Sequence, residues 1–188
     1  WLHARNQVHG TSLRERVLAS IPRIAPTASS FARLINVAPK GVAKRLLGLA
    51  RERPLPTWST NPWRDDEMNS LEAPGEPDSV ARSLGDRPAV ALFIDTFSRW
   101  FEPENARAAA RILRAGGWAA ESTRPSDGGR PLCCGRTYLS AGMLDQARRE
   151  AKRLLTALLP LARAGTRIVG LEPSCLYTLR DEIPALFP

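Results

Sequence analysis

The chain has 188 residues, 43% of them apolar, enough for one well-buried core with room for a second small unit. No run of 18 apolar residues occurs, so the sequence offers no helix that would span a bilayer. The net charge of +8 is uneven: residues 1–64 carry 11 basic and 2 acidic side chains, residues 65–88 carry 2 and 7, and residues 89–188 carry 14 and 10. No nucleic-acid motif accompanies the basic excess, so nucleic acid is not an expected partner, and a basic face that docks on an acidic neighbouring domain or stays solvated accounts for the imbalance.

Residues 1–64 are expected to be a basic helical segment. Trp1–Asn6 read as the interior of a helix without a cap, as in a piece of a longer protein. Ser12, with Glu15 three residues on, is a capped helix start, because the two side chains can satisfy each other's free amides. Val17, Leu18 and Ile21 follow on one face, and Pro22 and Pro26 are expected to interrupt. A second helix is expected over Ser29–Asn36 and a third after Pro39, where Val42, Leu46, Leu47 and Leu49 sit beside Lys40, Lys44 and Arg45. Short amphipathic helices divided by proline are marginal alone, so they should lie against the rest of the chain or a neighbouring molecule.

Residues 65–88 are acidic and proline-rich and read as a linker, with poor order expected between Pro56 and Asp86. Trp58 and Trp63 are the groups whose burial would pin parts of it to a core. From Ala89 the pattern changes. Ala89–Ile94 is a continuous apolar run, as in a strand covered on both faces; Pro103–Gly116 is a helix; and Trp118–Ser122 is a second strand. A long helix is expected over Ser140–Ala164, a third strand over Thr166–Leu171 and a last helix over Pro173–Ile183. The alternation implies an α/β fold for residues 89–188: a Rossmann-like parallel sheet with flanking helices, preceded by the helical segment.

In such a sheet the strand carboxyl ends share one edge, which would gather Asp95-Thr96, Cys133-Cys134 and Ser174-Cys175. These hold all three cysteines of the chain. An odd thiol count with no signal-like segment argues against a secreted disulfide scaffold and for a reducing, cytoplasmic compartment; the basic helices leave a peripheral membrane contact open. Two readings of Cys133, Cys134 and Cys175 stand at this point. They converge as thiolate ligands on iron or zinc, or they are buried as small hydrophobes. His3 and His9 lie six apart and are not expected to be ligands.

The segment Leu92–Glu104, then Cys133-Cys134-Gly135, then Glu172-Pro173-Ser174-Cys175-Leu176 resembles the cysteine-rich CCG domain. That domain occurs in heterodisulfide reductase, in iron–sulfur subunits of glycolate oxidase and anaerobic glycerol-3-phosphate dehydrogenase, and in lactate-utilisation proteins. The chain looks closest to the copy fused behind an FAD-linked oxidase domain in D-lactate or 2-hydroxyacid dehydrogenase-like proteins. The resemblance covers roughly residues 88–188. It implies part of a flavin-linked oxidoreductase, with an iron–sulfur cluster held at Cys133, Cys134 and Cys175 for electron transfer and no catalytic residue or turnover of its own. It implies FAD and ferredoxin-like domains as partners within a longer chain, and it leaves substrate and electron acceptor unread. Thr96 and Thr178 stand where the family has its remaining two cysteines. A degenerate domain without a cluster, serving for docking or holding zinc with water or Asp95 as fourth ligand, is the alternative.

Overall fold

The computed structural model describes residues 1–50, 52–71 and 87–187. At its centre is a three-stranded parallel sheet of β1 (Ala89–Phe93), β2 (Ala119–Ser122) and β3 (Arg167–Gly170) in the order β2-β1-β3. Val90 lies opposite Ala120 on one side and Arg167 on the other. As the apolar run of β1 requires, both faces of this central strand are covered. Val90 and Leu92 point into a core built with Trp63, Met68, Ala106 and Ala110, while Phe93 points into a second core with Leu132, Leu154 and Leu158.

Each core is closed by one amphipathic helix. Helix α8 (Pro103–Ala115) begins with proline, whose missing N–H costs nothing in a first turn, and presents Ala106 and Ala110 to the sheet. Small residues at that spacing let the helix backbone approach closely. Helix α10 (Leu144–Arg163) buries Ala147, Ala151, Leu154 and Leu158 on one stripe. The expected helix over 140–164 is α10, which starts at Leu144; a short helix that was not expected, α9 (Arg136–Ser140), precedes it across a turn at Gly142, whose φ is +68°. The expected last helix divides into α11 (Pro173–Tyr177), a π-turn (Thr178–Glu182) and α12 (Ile183–Leu186).

The first 50 residues contain α1 (Leu2–His9), α2 (Leu13–Ala19), α3 (Ile21–Ser30), α4 (Ala32–Val37) and α5 (Lys40–Leu46). The reciprocal Ser12–Glu15 cap forms as expected. The prolines do not interrupt as expected, because α3 runs through both. Pro22 lies in the first turn, where its amide would have no partner, and Pro26 removes only the single bond back to residue 22. The segment packs on the sheet domain. Ala19 joins Tyr138, Ala141, Ala147 and Leu186 in a third apolar cluster. Asn6 donates to the Ala141 carbonyl at 2.7 Å, and Thr137 donates to the Ala19 carbonyl at 2.8 Å. A Cβ at Gly142 would meet Leu2 at 2.8 Å, so a side chain there would push this segment away.

Residues 57–71, including the short helix α6 (Glu67–Ser70), are fastened to the sheet. Trp63 is buried, as its size demands, and Trp58 packs on Phe101 with ring centroids 4.4 Å apart. Buried Arg99 donates to the Asp65 carboxylate at 2.7 Å, and Ser122 donates to the same oxygen at 2.6 Å. Arg107 reaches Glu67 at 2.8 Å and Glu104 at 2.7 Å. The acidic residues at the start of the expected linker are therefore counter-charges for two buried arginines. The remainder of that expectation, 72–86, lies outside the described residues.

Candidate functional site

Each strand end delivers one piece of the site. After β1 the chain turns at Asp95 into α7 (Thr96–Trp100); after β2 a loop carries Cys133, Cys134 and Gly135 into α9; after β3, Glu172 caps α11, which holds Cys175. Parallel strands place these three turns on one edge, and the structure brings the three thiols together there as the sequence predicts. They line a cavity of about 730 Å³ with Thr96, Phe97 and Ser174.

The opposite wall was not legible beforehand. It comes from α2 and the start of α3, through Ser12, Glu15, Leu18, Ala19 and Ile21. Periodicity shows that α2 has an apolar stripe, but nothing local says which surface that stripe will meet.

Gly135 sets the thiol loop. Its φ of +85° lies in the left-handed region, and a Cβ there would stand 2.9 Å from the Ala147 carbonyl of α10. Only glycine lets the chain turn from the two cysteines into α9 while pressed this closely on α10.

All three thiols are free and buried. Cys134 donates to the Cys175 sulfur at 3.0 Å, and the Cys133 sulfur accepts from the Gly135 N–H at 3.4 Å. The Cys133 thiol is raised well above its ordinary range, first by its hydrogen bond with Cys134 and then by burial. At Cys134 the hydrogen bond from Cys133 pulls the other way, but the bond to Cys175 and burial outweigh it and push the thiol up to about 12. Cys133 and Cys134 are thus neutral thiols at ordinary pH, and any metal entering would have to displace their protons.

The remaining expected positions separate. Thr96 lies on the cavity within hydrogen-bonding reach of Cys133. Thr178 is fully buried and donates to the Ser174 carbonyl at 2.9 Å, off the cavity lining. Asp95 caps α7: one oxygen accepts the Phe97 and Ser98 amides at 2.7 and 3.1 Å, and the other accepts the Ser98 hydroxyl at 2.6 Å. His3 contacts the Gly142 carbonyl and His9 is exposed, so neither approaches the thiols.

A four-thiolate cluster does not fit these residues. Three sulfurs are available, Thr96 and Thr178 offer only hydroxyls, and among the described residues no three Cys, His, Asp or Glu side chains are disposed around one ion. A single zinc needs sulfurs about 3.7 Å apart, from Zn–S bonds of about 2.3 Å in a tetrahedron. The 3.0 Å contact of Cys134 with Cys175 would have to open by several tenths of an ångström.

The α2 wall is held by charge. The Arg5 hydrogen bond, followed by those of the Ser12 amide and hydroxyl, draws Glu15 from 4.5 to about 2. A carboxylate with a depressed folded-state pKa stabilises the fold above its unfolded value and ceases to do so as pH falls through the folded value. Amides of α1 and α2 should therefore lose hydrogen-exchange protection as the pH falls from 4.5 toward 2. Constant protection across that window would show that the carboxylate does not hold this wall.

The chain matches no protein-family model, no curated protein and no solved structure.

Proposed function

We propose that this chain is a cysteine-rich unit of CCG type in a flavin-linked oxidoreductase acting on 2-hydroxy acids, where it takes part in electron transfer beside FAD and ferredoxin-like domains of a longer chain. The observation that carries the reading is the meeting of Cys133, Cys134 and Cys175, from two segments 41 residues apart, on one cavity at the carboxyl edge of a parallel sheet. Soft thiolates suit iron and zinc, and the apolar surroundings would shield a redox centre from water. The unpaired thiols support a cytoplasmic location, and no helix among the described residues is long and apolar enough to cross a membrane.

A second reading is favoured by the ligand count: a unit without a cluster that binds zinc or docks its neighbours. Thr178 is tied to its own helix, and Asp95 is occupied as a cap. Purifying the chain anaerobically and measuring iron, zinc and visible absorbance per chain decides between them. The thiol count leads us to expect less than one intact cluster and up to one zinc per chain. About four irons per chain, with the charge-transfer colour of iron–sulfur ligation, would establish the cluster-bearing form. Absence of both metals from protein reconstituted with each would remove the metal reading.

A further inference from the structure

The Cys134 and Cys175 sulfurs are 3.0 Å apart, come from segments 41 residues apart, and both line the cavity. A disulfide needs about 2.0 Å between sulfurs, so about 1 Å of side-chain motion separates the dithiol from the bond. Cys133 is placed differently. Consecutive Cα atoms are about 3.8 Å apart, below the roughly 4.4 Å at which bridges begin, so Cys133 cannot pair comfortably with Cys134. Its sulfur also accepts the Gly135 amide.

We propose that Cys134 and Cys175 are a reversible dithiol–disulfide pair, oxidised by a low-molecular-weight disulfide that enters the cavity. At about 730 Å³ the cavity lies within the range of small-molecule sites, about 300–1,000 Å³. Cys175 is the more exposed of the two residues, at 6% against 2%, and is assigned the first attack. Its thiolate bonds to one sulfur of the incoming disulfide and expels the other as a thiolate, which takes up the proton that Cys175 released. The Cys134 sulfur then displaces the second half from the mixed disulfide, and its proton leaves with that group. Two protein thiols and one small disulfide become one protein disulfide and two small thiols, so atoms and electrons balance.

This inference goes beyond metal binding and excludes it in the oxidised form, since a sulfur bonded to sulfur is no longer a thiolate ligand. The test uses the full chain, stripped of metal with a chelator and reduced, then held without oxygen in mixtures of glutathione and glutathione disulfide. After quenching and alkylation, peptides are mapped without reduction. The expected result is loss of two of the three thiols, a linked peptide joining Cys134 to Cys175, Cys133 alkylated, and full recovery with dithiothreitol. Cys133→Ser should keep the linkage, and Cys134→Ser should leave glutathione on Cys175. A bond to Cys133 overturns the proposal. So does retention of all three thiols by the native chain under a mixture that oxidises the denatured chain, a reading that does not depend on any variant folding. A parallel sample loaded with zinc separates the two ideas. Disulfide formation in a chain that binds no zinc leaves this proposal standing and removes the zinc reading; zinc binding with no disulfide in the metal-free sample does the reverse.

Discussion

Replacing Gly135 by alanine should destabilise the chain by about 3 kcal/mol and expose its thiols. Two costs combine. A residue with a Cβ held at a φ of +85° loses about 1–2 kcal/mol, and a Cβ 2.9 Å from a backbone carbonyl of a packed helix adds about 1–3 kcal/mol of overpacking. Neither can relax cheaply, because Ala147 is itself fully buried against the α2 segment. The strain would be relieved by lifting Cys133 and Cys134 off α10. Guanidinium unfolding should show a lower midpoint with an unchanged slope, and a chromogenic disulfide should titrate the thiols of the folded variant faster than those of the parent. A change within about 0.5 kcal/mol would mean that the turn tolerates a side chain and that its geometry is not what seats the cysteines.

Asp65→Ala should cost roughly 3 kcal/mol, because it leaves Arg99, 4% exposed, with an uncompensated charge and Ser122 without its acceptor. Asp127 provides the contrast. It also bonds an arginine at 2.8 Å, but its side chain is 54% exposed, and Asp127→Ala should cost less than about 1 kcal/mol. Removing both members of the buried pair, Asp65→Leu with Arg99→Met, should recover much of the first loss, since no isolated charge then remains. If Asp65→Ala and Asp127→Ala had equal effects on the unfolding midpoint, residues 57–71 would not be held by the buried arginine.

The contrast between those two carboxylates also shows what a sequence conveys and what it does not. The run Ala89–Phe93 announces a central strand because its apolar residues need no partner beyond two covered faces, and that strand fixes the edge on which Cys133, Cys134 and Cys175 meet. The site is legible because strand order alone brings its parts together. Asp65 and Asp127 look alike in the sequence, each an acid near proline. Only the fold distinguishes the buried counter-charge from the exposed pair. For the same reason Asp95 reads as a free ligand until its two oxygens are seen to be spent on α7. Helix α9 escapes periodicity because it is only five residues long, too short for an apolar stripe to repeat, and Gly142, just after it, is the one local signal of the turn that ends it.

The cavity's two walls have an implication for the order in which the chain folds. The Thr137 hydroxyl meets the Ala19 carbonyl across 118 residues of sequence, a longer closure than either strand pairing of the sheet, in which Ala89 lies opposite Ala119 and Val90 opposite Arg167. Closing so long a loop is entropically opposed until the surface that receives it exists. If the first helices dock last, the cysteines stand until then on an open edge of an otherwise finished sheet. During synthesis the amino-terminal helices emerge first and must wait for the surface they are to cover. The interval in which the thiols are most open to metal or oxidant therefore lies before the native state is complete.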